Sequence, residues 1–355
     1  MNEIKKLVKI SQYAGQRYDL VQASAGNSSV KLNNGEMLIK KSGSLLSEIN
    51  GKSDCAIIRT NQVVNILSDK KILLSQNKRE RESIASNFVK RATIKNNNRP
   101  SIETLLHSIL LKYTLHTHPL VVIILSIRKD WKKILKEIFN TDEISTIDYF
   151  TPGIDLAISL KEDLDQFDSI PNIIFLQNHG LIITSDNYID IIHITEYVIE
   201  KIEKFLSIDM NRYKLTNKVT LLFEKVSKSF LLSYLSEDLF LTEVLKSKSE
   251  LFDCGPCSPD TLVFCGYYPV RLKNEKDYLS IFEYKKKFND LPKIIIIKNS
   301  ILFVASTIKK AKEIEEVFKQ HIISLFFNHD NINTLNKYEL DYLANWESEK
   351  FRQKK

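Results

Sequence analysis

Two histidines two residues apart, His116 and His118 in Tyr113-Thr114-Leu115-His116-Thr117-His118, open the chemical reading of this 355-residue chain. The run is short, carries the β-branched Thr114 and Thr117, and is closed by Pro119, so its pattern predicts a strand. Side chains alternate faces along a strand, so both imidazoles project from one face and can reach one metal ion. Upstream, Glu103 and His107 stand four apart on a predicted helix with Ser101 at or near its N-cap, and they too share a face. A third imidazole, His179, falls in a predicted strand-to-strand turn within Phe175-Leu176-Gln177-Asn178-His179-Gly180-Leu181. Three neutral imidazoles with one position left open describe a catalytic rather than a structural Zn²⁺ site, one ion per chain, although other divalent metals accept the same donors. Because Glu103 fills the adjacent catalytic position, His107 reads as a supporting or packing residue. His193, His321 and His329 have no ligand-like neighbours and read as structural.

The rest of the chain has to position these groups. Its hydrophobic fraction of 43% and charged fraction of 27% are those of an ordinary soluble globular protein, long enough for one large domain or two. The net charge of +7 comes mostly from dispersed Lys, with no helix or tail of basic residues interleaved with aromatics, so no nucleic-acid partner is expected. An anionic small substrate is compatible with it. The N-terminus Met1-Asn2-Glu3-Ile4-Lys5-Lys6-Leu7 has no apolar signal core, and the apolar run 120–127 is too short to span a bilayer. Four Cys without a paired framework fit a reducing cytoplasm.

In chain order, residues 4–14 predict an amphipathic helix ending near Gly15. The small polar stretch Ala23-Ser24-Ala25-Gly26-Asn27-Ser28-Ser29 leads into a β-hairpin, 30–32 and 37–39 around Asn33-Asn34-Gly35. A second small turn, Lys40-Lys41-Ser42-Gly43-Ser44, follows, and the two turns together could cradle a phosphate with backbone N–H groups and hydroxyls. Strands are predicted over 55–58 and 63–67, a charged helix or loop over 76–94, and helices over 120–126, 131–139 and 156–164. From Asn172 the pattern becomes strand 173–177, turn, strand 181–184 and helix 188–205. It recurs as 294–297, Lys298-Asn299-Ser300, 301–305 and 308–326, with Ser300 in place of His179, so chemistry belongs to the first copy. Residues 213–250 read as mostly helical, Tyr213 to Lys218 as a domain boundary, and 262–265 as a strand. Cys254-Gly255-Pro256-Cys257 matches a thioredoxin-type dithiol in spelling, but a Ser-Pro-Asp turn and a strand are expected after it, the wrong context for a reactive thiolate.

Gly26-Asn27-Ser28-Ser29, Lys40-Lys41-Ser42-Gly43, Arg99-Pro100-Ser101-Ile102-Glu103-Thr104, His116-Thr117-His118 and Asn178-His179-Gly180 occur in the order seen in the class II aldolase/adducin family, which this chain resembles. The likeness is nearest to the aldolase half of bifunctional rhamnulose-phosphate aldolase/dehydrogenase proteins. That half also accounts for Tyr149-Phe150-Thr151-Pro152-Gly153, Ser258-Pro259-Asp260 and the final Trp346-Glu347. With no dinucleotide-binding domain following, the expectation is the aldolase module standing alone. The resemblance implies a three-layer α/β/α class II aldolase-like fold on a mainly antiparallel sheet over 1–212, plus a C-terminal α+β region over 213–355. It implies a homotetramer with active sites at subunit interfaces, Zn²⁺ on His116, His118 and His179, and Glu103 as acid/base. Asn27, Ser42, Gly43 and Ser101 match the positions that hold substrate phosphate, with Ser28 and Lys40 beside them as further phosphate-binding candidates. Ile102 departs from the second Ser of better-known sugar-phosphate aldolases and removes one phosphate donor; Lys40 is the residue expected to supply charge instead.

The expected activity is reversible retro-aldol cleavage of a keto-sugar phosphate, of the rhamnulose or fuculose 1-phosphate kind, through a metal-stabilised enediolate with Glu103 as general base. Family members use a Tyr, often from a neighbouring subunit, to protonate the aldehyde oxygen, and the 14 Tyr here offer no single choice. An epimerase or a decarboxylase on the same fold is the alternative, as is a non-catalytic adducin-like scaffold. Glu103 in place of an Asp favours the aldolase over the epimerase, and the full set of three His argues against the scaffold.

Overall fold

The Asn33-Asn34-Gly35 turn, with Gly35 at φ +79°, closes the hairpin on which the first sheet grows. In the computed structural model, which describes residues 1–94, 98–328 and 331–345, the chain divides into two units, Met1–Met210 and Asn211–Lys355. The first unit holds β1 (Asn27–Lys31), β2 (Glu36–Lys40), β3 (Cys55–Arg59), β4 (Thr93–Ile94), β5 (Tyr113–Thr117), β6 (Ile144–Ile147), β7 (Ile173–Leu176) and β8 (Gly180–Ser185). They form one sheet in the order β4-β3-β2-β1-β5-β8-β7-β6, antiparallel throughout except for the parallel β6–β7 pair.

Its helices are α1 (Glu3–Gly15), α2 (Thr60–Val64), α3 (Lys70–Leu74), α4 (Lys78–Ala92), α5 (Thr104–Ser108), α6 (Leu120–Ser126), α7 (Trp131–Ile138), α8 (Ile154–Leu164) and α9 (Tyr188–Leu206). The central strands are buried on both faces, and the alternation sorts their apolar residues between two cores. Leu38, Leu115 and Leu181 meet Leu7, Val121, Leu135 and Val198 of α1, α6, α7 and α9. Met37, Ile39, Ile58 and Ile182 meet Val63, Ala85, Leu105 and Leu160 of α2, α4, α5 and α8. Burying each such aliphatic side chain contributes roughly 1.5–3 kcal/mol. The result is the three-layer α/β/α architecture with a mainly antiparallel sheet that the sequence led us to expect.

The second unit contains α10 (Asn211–Val226), β9 (Leu232–Leu235), α11 (Leu239–Ser247), β10 (Val270–Arg271), α12 (Tyr278–Phe288), β11 (Ile294–Ile297), β12 (Ser300–Ala305), α13 (Ile308–Asn328) and α14 (Lys337–Asn345). Its four strands run in the order β10-β11-β12-β9, and the all-isoleucine β11 sends Ile294 and Ile296 to one core and Ile295 and Ile297 to the other.

Two sequence expectations are corrected here, and a third, the mostly helical stretch 213–250, is refined. Residues 63–67 are helical, because Val63, Ile66 and Leu67 recur at helical spacing and all three are buried on one side. Residues 262–265 belong to a helical turn, Thr261–Cys265, introduced by Ser258, whose hydroxyl accepts from the Thr261 N–H. Residues 213–250 are interrupted by β9, whose Ser233 and Tyr234 pair with Val304 and Phe303. His329, Asn97 and the Trp346-Glu347 segment lie outside the described residues.

Behind β5 lies a buried ionic cluster with no signal in the hydrophobic pattern. Arg17, 1% exposed, donates to both Asp19 carboxylate oxygens, to Glu196 on α9 and to the Tyr13 hydroxyl. The segment it anchors holds the chain just past β5: Leu20 O accepts from the His118 N–H at 2.9 Å and Asp19 O from the Leu120 N–H at 2.9 Å. Removing the guanidinium strands a buried carboxylate, so Arg17→Met is expected to destabilise the unit by about 3–5 kcal/mol in urea unfolding, with part recovered by adding Asp19→Asn. A loss below about 1 kcal/mol would show the cluster to be solvated and dispensable.

Candidate metal centre

Strand register builds the centre. Asn27 pairs with His116 across β1–β5, and Ile182 pairs with His116 across β5–β8, so all three face the α5 side of the sheet. His116 is fully buried, and its Nδ1–H donates to the Leu181 carbonyl at 3.0 Å, which turns the Nε2 lone pair inward. His118 follows just beyond the strand end, its Nε2 3.0 Å from that of His116. His179 comes from the three-residue loop between β7 and β8, in which Asn178 takes φ +53° and the His179 N–H donates to Leu176 O. The three rings stand 4.8–5.2 Å apart between centroids, and one nitrogen from each lies within 4.8 Å of the others.

Glu103 joins them from the N-cap position of α5. Its Oε1 lies 3.3 Å from His116 Nε2 and 3.1 Å from His179 Nε2, and its Oε2 accepts from the Asn27 amide. Burial pushes the Glu103 carboxyl up, but the His116 and His179 imidazoles outweigh it and hold the group well below the usual carboxylate range. Burial pushes His118 down to about 3, with His116 and His179 adding to the effect, so that ring stays neutral. His179 Nδ1 is buried without a partner, and the inward ring nitrogens have only one another and one carboxylate to satisfy them. Three imidazole nitrogens converging beside one carboxylate oxygen are a donor set that fits a divalent cation such as Zn²⁺. Among the described residues, this is the group of three or more metal-type donors that meets in space.

The remaining site candidates divide. Ser42 and Gly43 are exposed on the turn after β2, and the Ser42 N–H donates to Arg99 O at 2.8 Å, tying that turn to the loop carrying Ser101 and Glu103. Ser101 is two residues before the cap; its hydroxyl accepts from the Glu103 N–H. Ser28 is corrected: its register partner is Leu115, so its side chain lies on the opposite face, fully buried against the Ser11 hydroxyl of α1. Lys40 is corrected as well. Its ammonium is buried and donates to Ser24 O at 3.0 Å and Ser44 O at 2.7 Å, so it braces the two small turns from behind. Burial pushes its pKa down.

His107 is fully buried, its Nδ1 2.7 Å from the Ser29 hydroxyl, and burial pushes it down to about 3. It therefore ties α5 to β1. The dithiol-like Cys254 and Cys257 are free, and burial raises both thiols. A helical turn, rather than the expected strand, follows them.

Sequence reasoning missed Ser29, the Leu181 carbonyl and Gly180. Of these, Gly180 had a signal, standing directly after His179. A Cβ there would lie 2.3 Å from Thr117 O, 2.9 Å from His118 Cδ2 and 3.2 Å from His116 Cε1. Only a residue without a side chain lets β8 approach His116 and His118. Gly180→Ala is therefore expected to lower Zn²⁺ affinity at least tenfold in a competitive chelator titration and to destabilise the unit by about 1–3 kcal/mol. Wild-type affinity in that variant would show that the close approach is unimportant.

The profile of the class II aldolase and adducin N-terminal domain matches residues 5–205. An uncharacterized oxidoreductase, YuxG of Bacillus subtilis (strain 168), is 26% identical over 117 residues, which cover 33% of this chain and 17% of that protein. Solved structures include the N-terminal class II aldolase domain of a conserved protein from Thermoplasma acidophilum, at 22% identity, 58% of this chain, 94% of that one and a TM-score of 0.49. L-fuculose-1-phosphate aldolase from Thermus thermophilus aligns at 16% identity over 57% of this chain and 92% of that one, with a TM-score of 0.38. A sugar-phosphate aldolase from Thermotoga maritima aligns at 16% identity over 57% and 95%, with a TM-score of 0.40. Because the family profile takes in more than half of the chain and contains every histidine and carboxylate of the centre, the chain belongs to the class II aldolase and adducin N-terminal domain family.

Proposed function

We propose that this protein is a Zn²⁺-dependent class II aldolase that reversibly cleaves a keto-sugar phosphate of the rhamnulose or fuculose 1-phosphate kind. The observation that carries this reading is the shared contact of one buried carboxylate, Glu103, with His116 and His179 beside His118. Those three imidazoles would hold the ion. Zn²⁺ bound there supplies a Lewis acid that polarises a ketone and acidifies the neighbouring C–H.

Every other step belongs to the protein. Glu103, held as the carboxylate, takes the proton from that carbon in the bond-making direction and returns it in cleavage. The Asn27 amide donates to Glu103 Oε2, which leaves Oε1 to face the imidazoles and substrate. The Leu181 carbonyl fixes the His116 tautomer, so the ring cannot turn its N–H toward the ion. Ser42, Gly43 and Ser101 would offer neutral donors to the phosphate. Tyr149 is exposed, and its backbone N–H donates to the Gln177 side chain of the loop that carries His179, which makes its phenol the candidate proton donor. The likeness to the aldolase half of bifunctional rhamnulose-phosphate aldolase/dehydrogenase proteins supports the sugar class. A homotetramer in the cytoplasm completes the proposal, and four free cysteines support a reducing setting. No described helix is long and apolar enough to cross a membrane.

Elemental analysis of purified protein should find about one Zn²⁺ per chain, lost in His116→Ala, and a screen of ketose 1-phosphates should find one that is cleaved. Glu103→Gln should keep the metal and lose roughly 10²–10⁴-fold in kcat. Metal without cleavage would shift the reading to an epimerase or decarboxylase; no metal in either protein would leave the scaffold.

A further inference from the structure

A positive charge beside the small turns would strengthen their hold on an anionic substrate, and Lys40, Lys41 and Arg99 stand there. Lys40 is spent: its ammonium is buried on the carbonyls of Ser24 and Ser44. Lys41 is paired, its Nζ 3.3 Å from Asp54. The third, Arg99, is exposed, and its guanidinium has no partner among the described residues.

Its backbone, by contrast, is firmly placed. The Arg99 carbonyl accepts from the Ser42 N–H at 2.8 Å, and the next residue, Pro100, bridges Lys41. Arg99 thus sits directly across from Ser42, beside Gly43, where φ is +84° and no heavy atom lies within 4 Å of a would-be Cβ. Four residues on stands Glu103 at the imidazoles. The neutral donors at this mouth are few: the Ser42 N–H is already used, and Ile102, 61% exposed, contributes none. Without Arg99 the mouth would offer an anion only hydroxyls and the open Gly43 backbone.

We propose that Arg99 is the residue that recognises the anionic end of the substrate, binding its oxygens with the two-pronged guanidinium at the open Ser42–Gly43 turn. This rests on the aldolase reading for the substrate's identity and adds the group that selects it. Guanidinium forks suit phosphate monoesters and carboxylates alike, and the chemistry they share is a terminal oxyanion with two acceptor oxygens. An ammonium is a point charge without the fork, so Lys at this position restores the attraction and not the geometry.

The test measures binding without turnover. Glycerol 1-phosphate and glycerate are titrated calorimetrically into full-length wild type, Arg99→Gln and Arg99→Lys, each checked for unchanged Zn²⁺ content and unfolding midpoint. The expected result is at least a tenfold loss of glycerol 1-phosphate affinity in Arg99→Gln and a smaller loss in Arg99→Lys. The same pattern for glycerate alone would support the site with a carboxylate as the handle. Affinities within twofold across all three proteins, or no binding of either probe to wild type, would overturn the proposal. Arg99-dependent binding without cleavage of any ketose phosphate would sink the aldolase reading and leave this site standing. Cleavage with an unchanged KM in Arg99→Gln would sink this site alone.

Discussion

A carboxylate removed from water inside a protein costs several kcal/mol unless charge and hydrogen bonds replace the solvent, and that requirement organises the N-terminal unit. Glu103 is 6% exposed and meets it with two imidazole nitrogens on Oε1 and the Asn27 amide on Oε2. These partners come from two strands and a turn that are distant in sequence, so the carboxylate is satisfied only when β1, β5 and the β7–β8 hairpin are all in place. The same contact leaves His116 drawn toward its charged form, since Glu103 outweighs the effect of burial on that ring. A divalent cation held by the three imidazoles would supply the positive charge that Glu103 otherwise draws from a protonated ring.

Register is the means by which the sheet meets this demand. Strand side chains alternate, so a one-residue slip of β1 against β5 would turn Asn27 and Ser29 into the α1 core and bring Ser28 to the metal side. Several polar contacts pin the observed alternative. Ser28 is locked to Ser11 on one face, Ser29 to His107 on the other, and Thr114 to Thr184 across the next strand pair. Lys40 adds a brace at the far end of β2, where its buried ammonium draws the Ser24 and Ser44 carbonyls together. Polar groups that contribute little net stability apiece thus specify which face carries the chemistry.

The parts of the fold that sequence made legible share one property: their signal is local. The Asn-Gly hairpin, the strand-turn-strand around His179 and the long α9 and α13 all announce themselves within a few residues. His116 and His118 were readable for the same reason, as two residues at the end of one extended run, although β5 itself stops at Thr117. What failed was long-range or ambiguous. The apolar run 63–67 fits a strand in composition and a helix in spacing, and only the packing of Val63, Ile66 and Leu67 against the sheet decides between them. Ser28 and Lys40 look like ligands because they lie within the right turns; strand alternation and burial remove them. The Arg17–Asp19–Glu196 cluster joins positions up to 179 residues apart and leaves no trace in any local pattern.

The two strand-turn-strand-helix segments show how little separates a site from a plain hairpin. In the second unit Ile297 pairs with Ser300, so the loop is the two residues Lys298 and Asn299, at φ +48° and +61°, the positive pair that a tight type I′ hairpin requires. In the first unit Leu176 pairs with Gly180, and the loop holds three residues, Gln177, Asn178 and His179. Ser300 therefore corresponds in the ladder to Gly180, not to His179 as the sequence echo suggests. The imidazole occupies an additional residue that the shorter loop has no place for. Two changes, one residue inserted at the turn and one side chain removed just after it, deliver a ring nitrogen to Glu103 and clear the space for His116 and His118. The rest of the motif is common to both segments, which is why the metal chemistry must be argued from the loop and not from the architecture that carries it.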